Sequence, residues 1–330
     1  MSCLFDYMDQ KNYRRFDQRN TIFNRKDLDA TAPFFNHDMY ENVNKIISED
    51  KDGYSQLEFA RAQGAWAVYN YFHEAFSWEK MGKANSTMQD VDMAQYQIKD
   101  LDRFTAEVKA SAQLYGASRV GVTQLAEDWL YSFDGRGGPI VIPQEYQYAI
   151  VMIIGMDIKE IKKSPAISAC TENDLGYSRM AFLIGCMAQF IRHLGYKAIP
   201  MGNNIALSIP LAIAAGLGEL GRNGLLITPE FGSCIKICKI FTDMPLQLDQ
   251  PRLFGVKEFC MKCKLCADAC AVGAIQFADN PSFRIFSRSN NRGLRRWAVH
   301  ADLCYQFWID NGGECSSCIS VCPYSNHKGG

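Results

Sequence analysis

The chain has no excess of charge. Its 35 lysines and arginines nearly balance 36 aspartates and glutamates, leaving −1 with histidine neutral. A nucleic-acid-binding surface of the usual kind needs a basic surplus, so nucleic acid is not an expected partner. Long apolar runs are also missing. The best two, 149–156 and 205–217, are too short to cross a bilayer, and Pro210 interrupts the second. Arg14-Arg15 has the look of a twin-arginine pair, yet FDQRNTIFNRKD follows it rather than an apolar segment, so no export signal is expected. No G-x-G-x-x-G follows a strand pattern and no G-x-x-x-x-G-K-[ST] occurs, so nucleotide binding has no motif behind it. The five histidines (His37, His73, His193, His300 and His327) sit in no ligand motif. Low-complexity segments and internal repeats are absent, apart from two cysteine motifs.

Those motifs organise the chain. Eight of the 13 cysteines fall between Cys260 and Cys322. The first motif, CMKCKLCADAC, places Cys260, Cys263, Cys266 and Cys270 at C-x-x-C-x-x-C-x-x-x-C. In the second, Cys304, Cys315, Cys318 and Cys322 follow C-x(10)-C-x-x-C-x-x-x-C-P. Thiolates three residues apart on a tight loop reach neighbouring irons of one cubane, and in two-cluster ferredoxins the fourth thiolate comes from the other motif. The expected sets are therefore Cys260, Cys263, Cys266 and Cys322 for one 4Fe-4S cluster, and Cys270, Cys304, Cys315 and Cys318 for the second. Zinc would use separated C-x-x-C pairs, and a disulfide scaffold belongs to short secreted chains. Cys3, Cys170, Cys186, Cys234 and Cys238 are expected to be buried hydrophobes. SNHKGG follows Cys322 directly, which would leave a cluster thinly covered, so further sequence beyond it is expected.

At 330 residues with 48% hydrophobic and 22% charged residues, the composition is that of a soluble globule. Residues 1–50 read as an extended arm. Ser55-Gln-Leu-Glu58 is a capping box opening a helix to about Lys80. That helix is rich in aromatics (Phe59, Trp66, Tyr69, Tyr71, Phe72, Phe76 and Trp78), which suit core packing or an apolar pocket wall. A second helix is expected over 101–115, a strand over 117–125, a loop over 132–147 and a buried strand over 148–156. There follow a helix from about Asp174 to His193, a short strand at 197–200, a small-residue helix over 209–220, and strands at 224–229 and 235–241. Alternating helices and apolar strands give an α/β layered core. Arg284, Arg288, Arg292, Arg295 and Arg296 form a basic cluster, read mainly as a solvated face and alternatively as a dock for an acidic electron donor.

RRFDQRNTIFNR (14–25), AIPMGNNIALSIPLAIAAGLGELGRNGLLITPEFG (198–232), FTDMPL (241–246), CYQFWIDNGG (304–313) and both cysteine motifs resemble the catalytic subunit of the corrinoid-dependent reductive dehalogenases. The resemblance covers most of 14–326. It implies an α+β chain: a nitroreductase-like α/β corrinoid-binding core followed by a bacterial ferredoxin-like two-cluster iron–sulfur domain. The corresponding units are an arm and aromatic-rich helical region at 1–98, the core at 99–250 and the ferredoxin-like domain at 251–330. The implied cofactors are a cobalamin-type corrinoid with its cobalt and two 4Fe-4S clusters. The implied reaction replaces the halogen of an organohalide by hydrogen, using two electrons and a proton.

Residue by residue, the resemblance puts the proton-donating tyrosine, ahead of the long core helix, on Tyr177. It puts an amide on Asn203, with Asn204 as competitor, and a cation on Lys236. Trp308 falls near the corrinoid, and Gly221, Arg222 and Asn223 are further candidate corrinoid contacts. The types suit the chemistry: a phenol gives the proton, and a nearby cation favours the phenolate left behind. On the residues alone, Tyr177 reads as a core tyrosine and Lys236 as an outward-facing strand residue. No D-x-H-x-x-G is present, so no histidine is expected below the cobalt. The family is exported and attached to the outer face of the cytoplasmic membrane. Its electrons come from a membrane anchor protein, a quinol-linked donor or a ferredoxin or flavodoxin, and it leaves room for a homodimer. A corrinoid iron–sulfur reductase of the epoxyqueuosine reductase kind and a non-catalytic electron-transfer protein are the competing readings.

Overall fold

The computed structural model describes residues 7–72 and 94–326, with the side chains of Tyr71 and Phe72 excepted. Cys3, His73, Phe76, Trp78 and His327 lie outside the described residues. Strand β1 (Arg119–Gln124), β2 (Tyr148–Gly155) and β3 (Ala198–Met201) join β6 (Ile235–Thr242) in one sheet of order β1-β2-β6-β3. Every pairing in it is antiparallel. β2 reads YAIVMIIG and is buried along six consecutive residues, because it lies inside the sheet with both faces covered. The segments β4 (Glu219–Leu220) and β5 (Leu226–Ile227) form a separate small hairpin.

Alternation along β6 sorts its side chains onto two cores. Cys238 and Ile240 join Ile150 and Met152 beneath helix α5 (Cys170–His193), whose Met180, Leu183, Ile184, Met187 and Ile191 face the sheet. Helix α4 (Leu101–Leu114) adds Val108 and Ala112 to the same side. Phe241 joins Ala149, Val151, Ile153 and Ile199 against the opposite helix, α6 (Ser208–Ala214).

The arm expected to be extended contains two short helices, α1 (Ile22–Leu28) and α2 (Val43–Ser48). It is held around helix α8 (Ala301–Asn311). Arg25 pairs with Asp302 at 2.8 Å, Phe34 meets the Tyr305 ring edge-on, and Ile46 packs with Phe59. Helix α3 (Gln56–Phe72) begins where the capping box places it, with Ser55 N–H donating to Glu58 Oε2 at 3.0 Å. The expected helix over 209–220 stops at Ala214, because Gly216 turns the chain with φ +72°. Helix α5 starts one turn earlier than expected, at Cys170; Tyr177 lies within it, as the expected helix from about Asp174 already implied, and not ahead of it as the resemblance had put it. Of the spare cysteines, Cys170, Cys234 and Cys238 are buried as expected, but Cys186 is only half-buried.

After β6 the chain forms short helices around the cysteines: α7 (Val256–Lys262), α8 (Ala301–Asn311), and one-turn pieces at Leu265–Asp268, Ser317–Ser320 and Pro323–Asn326. Among the described residues no helix is long and apolar enough to cross a membrane.

One side chain fixes the register of α3 on α5. The Ser178 hydroxyl donates to Ala65 O at 2.5 Å and accepts from Tyr69 N–H at 3.3 Å. Ala65 O and Tyr69 N–H are the partners an unbroken helix would join to each other, so the hydroxyl is inserted into the ladder of α3. Ser178→Ala should leave both backbone groups without this bridge and cost about 1–3 kcal/mol. Urea titration of the variant should show a lowered midpoint with an unchanged slope.

Candidate active site

Tyr177 sits in a cage of rings and one cation. Trp66 stacks on it with centroids 4.7 Å apart, and Tyr69 leans against it at 5.3 Å. Both rings come from α3, so the Ser178 bridge one residue along sets the cage. Lys236 Nζ lies 3.8 Å from the centroid of the Tyr177 ring, a cation–π contact. The aromatic helix therefore supports the tyrosine from behind rather than walling a pocket. Burial pushes the phenol well above its usual range; the nearby Glu314 charge adds to this, and the Asn203 hydrogen bond opposes it. The hydroxyl is thus held protonated at neutral pH.

Lys236 does not point outward. It projects from β6 toward α5 and donates to Asn173 Oδ1 at 2.5 Å. Its space comes from Gly176, where a Cβ would stand 2.8 Å from Lys236 Cγ. Burial lowers the lysine's pKa, while the charges of Glu314 and Asp174 act to raise it. These two carboxyl groups are 5% and 0% exposed. Asp174 Oδ1 and Oδ2 and Glu314 Oε2 make no well-aligned hydrogen bond among the described residues, although the Trp66 side chain lies close enough to Asp174 to oppose part of its shift. As two carboxylates they would be acceptors facing acceptors; one shared proton resolves this. Burial first, and then the neighbouring Glu314, pushes Asp174 far above the carboxylate range, and burial does the same to Glu314.

Asn203 Nδ2 lies 3.4 Å from the Tyr177 hydroxyl, so the amide rather than Asn204 meets the tyrosine. Its loop is tied down from beneath. Lys239, fully buried in the middle of β6, donates to Gly202 O at 2.5 Å and to Ser208 Oγ at 3.0 Å, holding both ends. Burial pulls this lysine down to about 7. The Tyr131 hydroxyl donates to Asn203 O at 3.3 Å. The only sequence signal for Lys239 was a second lysine in an otherwise apolar strand. Asp174 and Glu314 gave none, because neither stands in a motif.

Tyr177, Lys236, Asn173 and Glu314 line a cavity of about 400 Å³. Cys270, Cys304, Cys315, Cys318 and Trp308 line the same cavity. The eight motif cysteines separate into two neighbourhoods. Burial and the proximity of Cys260, Cys322 and Cys263 push the Cys266 thiol up to about 12. Cys318, half-buried, feels Cys304, Cys315 and Cys270, and also Cys266 of the first group. These are the two sets the spacing gave. The described cysteines form no disulfide.

The expectations for Gly221 and Arg222 need correction. Arg222 is 1% exposed and its guanidinium donates to the carbonyls of Cys260, Cys263, Gln276 and Ala278, over the face of Trp297. Its donors are taken up by the first cysteine motif, so it docks that motif onto the core and is not free for a corrinoid. Glu219 works alongside, accepting from Phe254 N–H and Val256 N–H. Gly221 is packed in the hairpin turn against Ile227. Asn223 does line the large cavity, although its amide is spent on Ser233 Oγ and Leu225 N–H. Trp308 also lines it, and its Nε1 is buried without a partner among the described residues. Arg284, Arg288, Arg292 and Arg295 are exposed, whereas Arg296 turns inward.

Fold and cysteine arrangement together define an α+β protein ending in a 4Fe-4S dicluster domain, and residues 259–326 match the model of that domain. Residues 118–246 match the family described as reductive dehalogenase subunit. The tetrachloroethene reductive dehalogenase of Desulfitobacterium hafniense is 34% identical over 273 residues, covering 70% of this chain and 50% of that protein. That of Sulfurospirillum multivorans is 35% identical over 252 residues, covering 67% and 50%. The solved catabolic reductive dehalogenase NpRdhA, in complex with 3-bromo-4-hydroxybenzoic acid, superposes with a TM-score of 0.73 at 22% identity. It covers 98% of this chain and 43% of that one. The chain belongs to the reductive dehalogenase family, and it spans about half the length of the curated relatives it matches. The epoxyqueuosine reductase of Listeria monocytogenes is 29% identical over 120 residues, 36% of this chain.

A carboxyl group whose pKa is raised on folding costs nothing while both states are protonated, and destabilises increasingly as pH climbs from the unfolded to the folded value. Asp174 is such a group. Asp174→Asn should therefore change the melting temperature little near pH 4. It should raise the melting temperature progressively from there toward pH 9, as read by thermal melts across that range. A gain confined to acid pH would contradict the shared-proton assignment.

Proposed function

We propose that the chain catalyses reductive dehalogenation of an organohalide: R–X, two electrons and one proton yield R–H and halide. The observation that carries this reading is the shared cavity. A protonated tyrosine, with a cation on its ring and an amide at its hydroxyl, opens onto the space lined by four motif cysteines.

Cys260, Cys263, Cys266 and Cys322 would hold one 4Fe-4S cluster, and Cys270, Cys304, Cys315 and Cys318 the other. The thiols of each set lie together, and a metal centre would take them as thiolates, releasing their protons as it binds. The second set faces the cavity directly, so electrons delivered there arrive beside Tyr177.

A cobalamin-type corrinoid would face this cavity, in keeping with a solved relative whose structure suggests a mechanism for B12-dependent dehalogenation. Much of the wall is apolar, with Ile209, Leu226, Ile235, Val272 and Ile275, and Trp308 Nε1 offers it a buried unused donor. Bound there, a corrinoid would supply, at its cobalt, the electrons that break the carbon–halogen bond.

The protein's own groups handle the proton. Tyr177 gives it from the hydroxyl. The phenolate that forms is met by the Asn203 amide and by the Lys236 charge, whose position on the ring face stabilises negative charge spread into the ring. The Asp174–Glu314 pair, by keeping one proton between two carboxyls, limits the negative charge opposing that phenolate.

Tyr177→Phe keeps the ring packing and removes one oxygen, so iron and cobalt contents should hold near eight and one per chain. Halide release should fall by about 100- to 10,000-fold. Lys236→Met should also slow turnover. Reconstituted protein that takes up iron but no cobalt, and releases no halide, would defeat the reading. Near-full activity of Tyr177→Phe would reassign the proton to Lys236 or to water.

A further inference from the structure

The segment between β3 and α6 carries Asn203 and relies on its neighbours for shape. Within it Ala206 N–H donates to Asn204 O at 2.8 Å; its other ties run outward. Ile205 stands at φ +69°, left-handed backbone that a β-branched residue seldom adopts. Such a conformation persists where the surroundings over-determine it. At the far end they do so through backbone. Tyr131 N–H donates to Ile205 O and Leu207 N–H to Trp129 O, both at 2.8 Å. At the near end, where the amide sits, side chains do the holding. The Tyr131 hydroxyl donates to Asn203 O at 3.3 Å, and the Lys239 ammonium to Gly202 O at 2.5 Å.

A lysine is a costly residue for that place. Lys239 lies between Val151 of β2 and Met201 of β3, is 0% exposed, and has no carboxylate among the described residues to offset its charge. A methionine of similar reach would fill the space without desolvating a cation. Methionine could not donate to Gly202 O or to Ser208 Oγ, the two ends of the segment.

We propose that Lys239 is a positioning residue for the dehalogenation: its ammonium holds the strained segment so that the Asn203 amide faces the Tyr177 hydroxyl. The inference rests on the reading of Tyr177 as the proton donor. Lys239 does not line the large cavity; it acts through Asn203, whose Nδ2 lies 3.4 Å from that hydroxyl. Phenolate charge develops only as the proton leaves, so an amide aimed at the oxygen favours the transition state over the bound substrate. Lys239 therefore bears on kcat and hardly on KM.

A double-mutant cycle on halide release by the reconstituted full chain tests this. Lys239→Met should lower kcat by about 10- to 100-fold and change KM by less than about threefold. In an Asn203→Ala background the same substitution should change kcat by less than about twofold, because the amide it positions is gone. Tyr131→Phe keeps its ring and loses the other side-chain tie. It should repeat the pattern with a smaller loss, and it carries the test if Lys239→Met does not fold. Equal fold losses in both backgrounds would assign these residues to general packing and overturn the proposal. Wild-type kcat in Lys239→Met, or in Asn203→Ala, would overturn it too. Wild type that releases no halide would overturn the dehalogenase reading, and the positioning role with it.

Discussion

The site depends on how closely α5 approaches β6 at Gly176. A Cβ there would stand 2.8 Å from Lys236 Cγ and 3.2 Å from Cε, closer than packed carbons allow. With hydrogen in its place, the lysine lies along the helix and brings its ammonium under the next residue's ring, Tyr177. The same stretch of α5 supplies Asn173 to the lysine, Asp174 to the carboxyl pair and Ser178 to the ladder of α3. Six consecutive helical residues thus set the lysine, the ring cage and the local charge.

The cavity is shared between two regions of the chain. Tyr177 and Lys236 come from the sheet-and-helix core, whereas Glu314 and four motif cysteines come from the region after β6. Arg222 and Glu219 bind the second region to the first through backbone groups, which makes their hairpin a joint as well as a piece of the cavity wall. Ser233 N–H donating to Ser325 Oγ closes the other end of that joint.

Much of this was legible in the sequence. The cysteine spacing yielded both sets, since loop thiolates obey a short-range geometry. The strands over 117–125 and 148–156 and the capping box at Ser55 were also plain, because each is a local pattern. Tyr177, Asn203 and Lys236 came from resemblance, as nothing in their immediate neighbours marks them. What could not be read depended on distant partners. Arg222 looks like any arginine in a glycine-rich turn until the carbonyls of Cys260 and Ala278 are seen beside it. Asp174 and Glu314 are 140 positions apart, and only folding makes them a pair. Lys239 and Arg296 are ordinary letters whose burial alone sets them apart.

The shared wall of the large cavity also bears on what decides its size. Half of that wall is made of cysteine loops whose shape depends on what their sulfurs hold. The pocket is therefore not a finished vessel awaiting its contents. What fills the sulfur side therefore shapes the room left for any guest beside Tyr177. The cavity's dimensions belong to the loaded chain as a whole and not to either region taken singly.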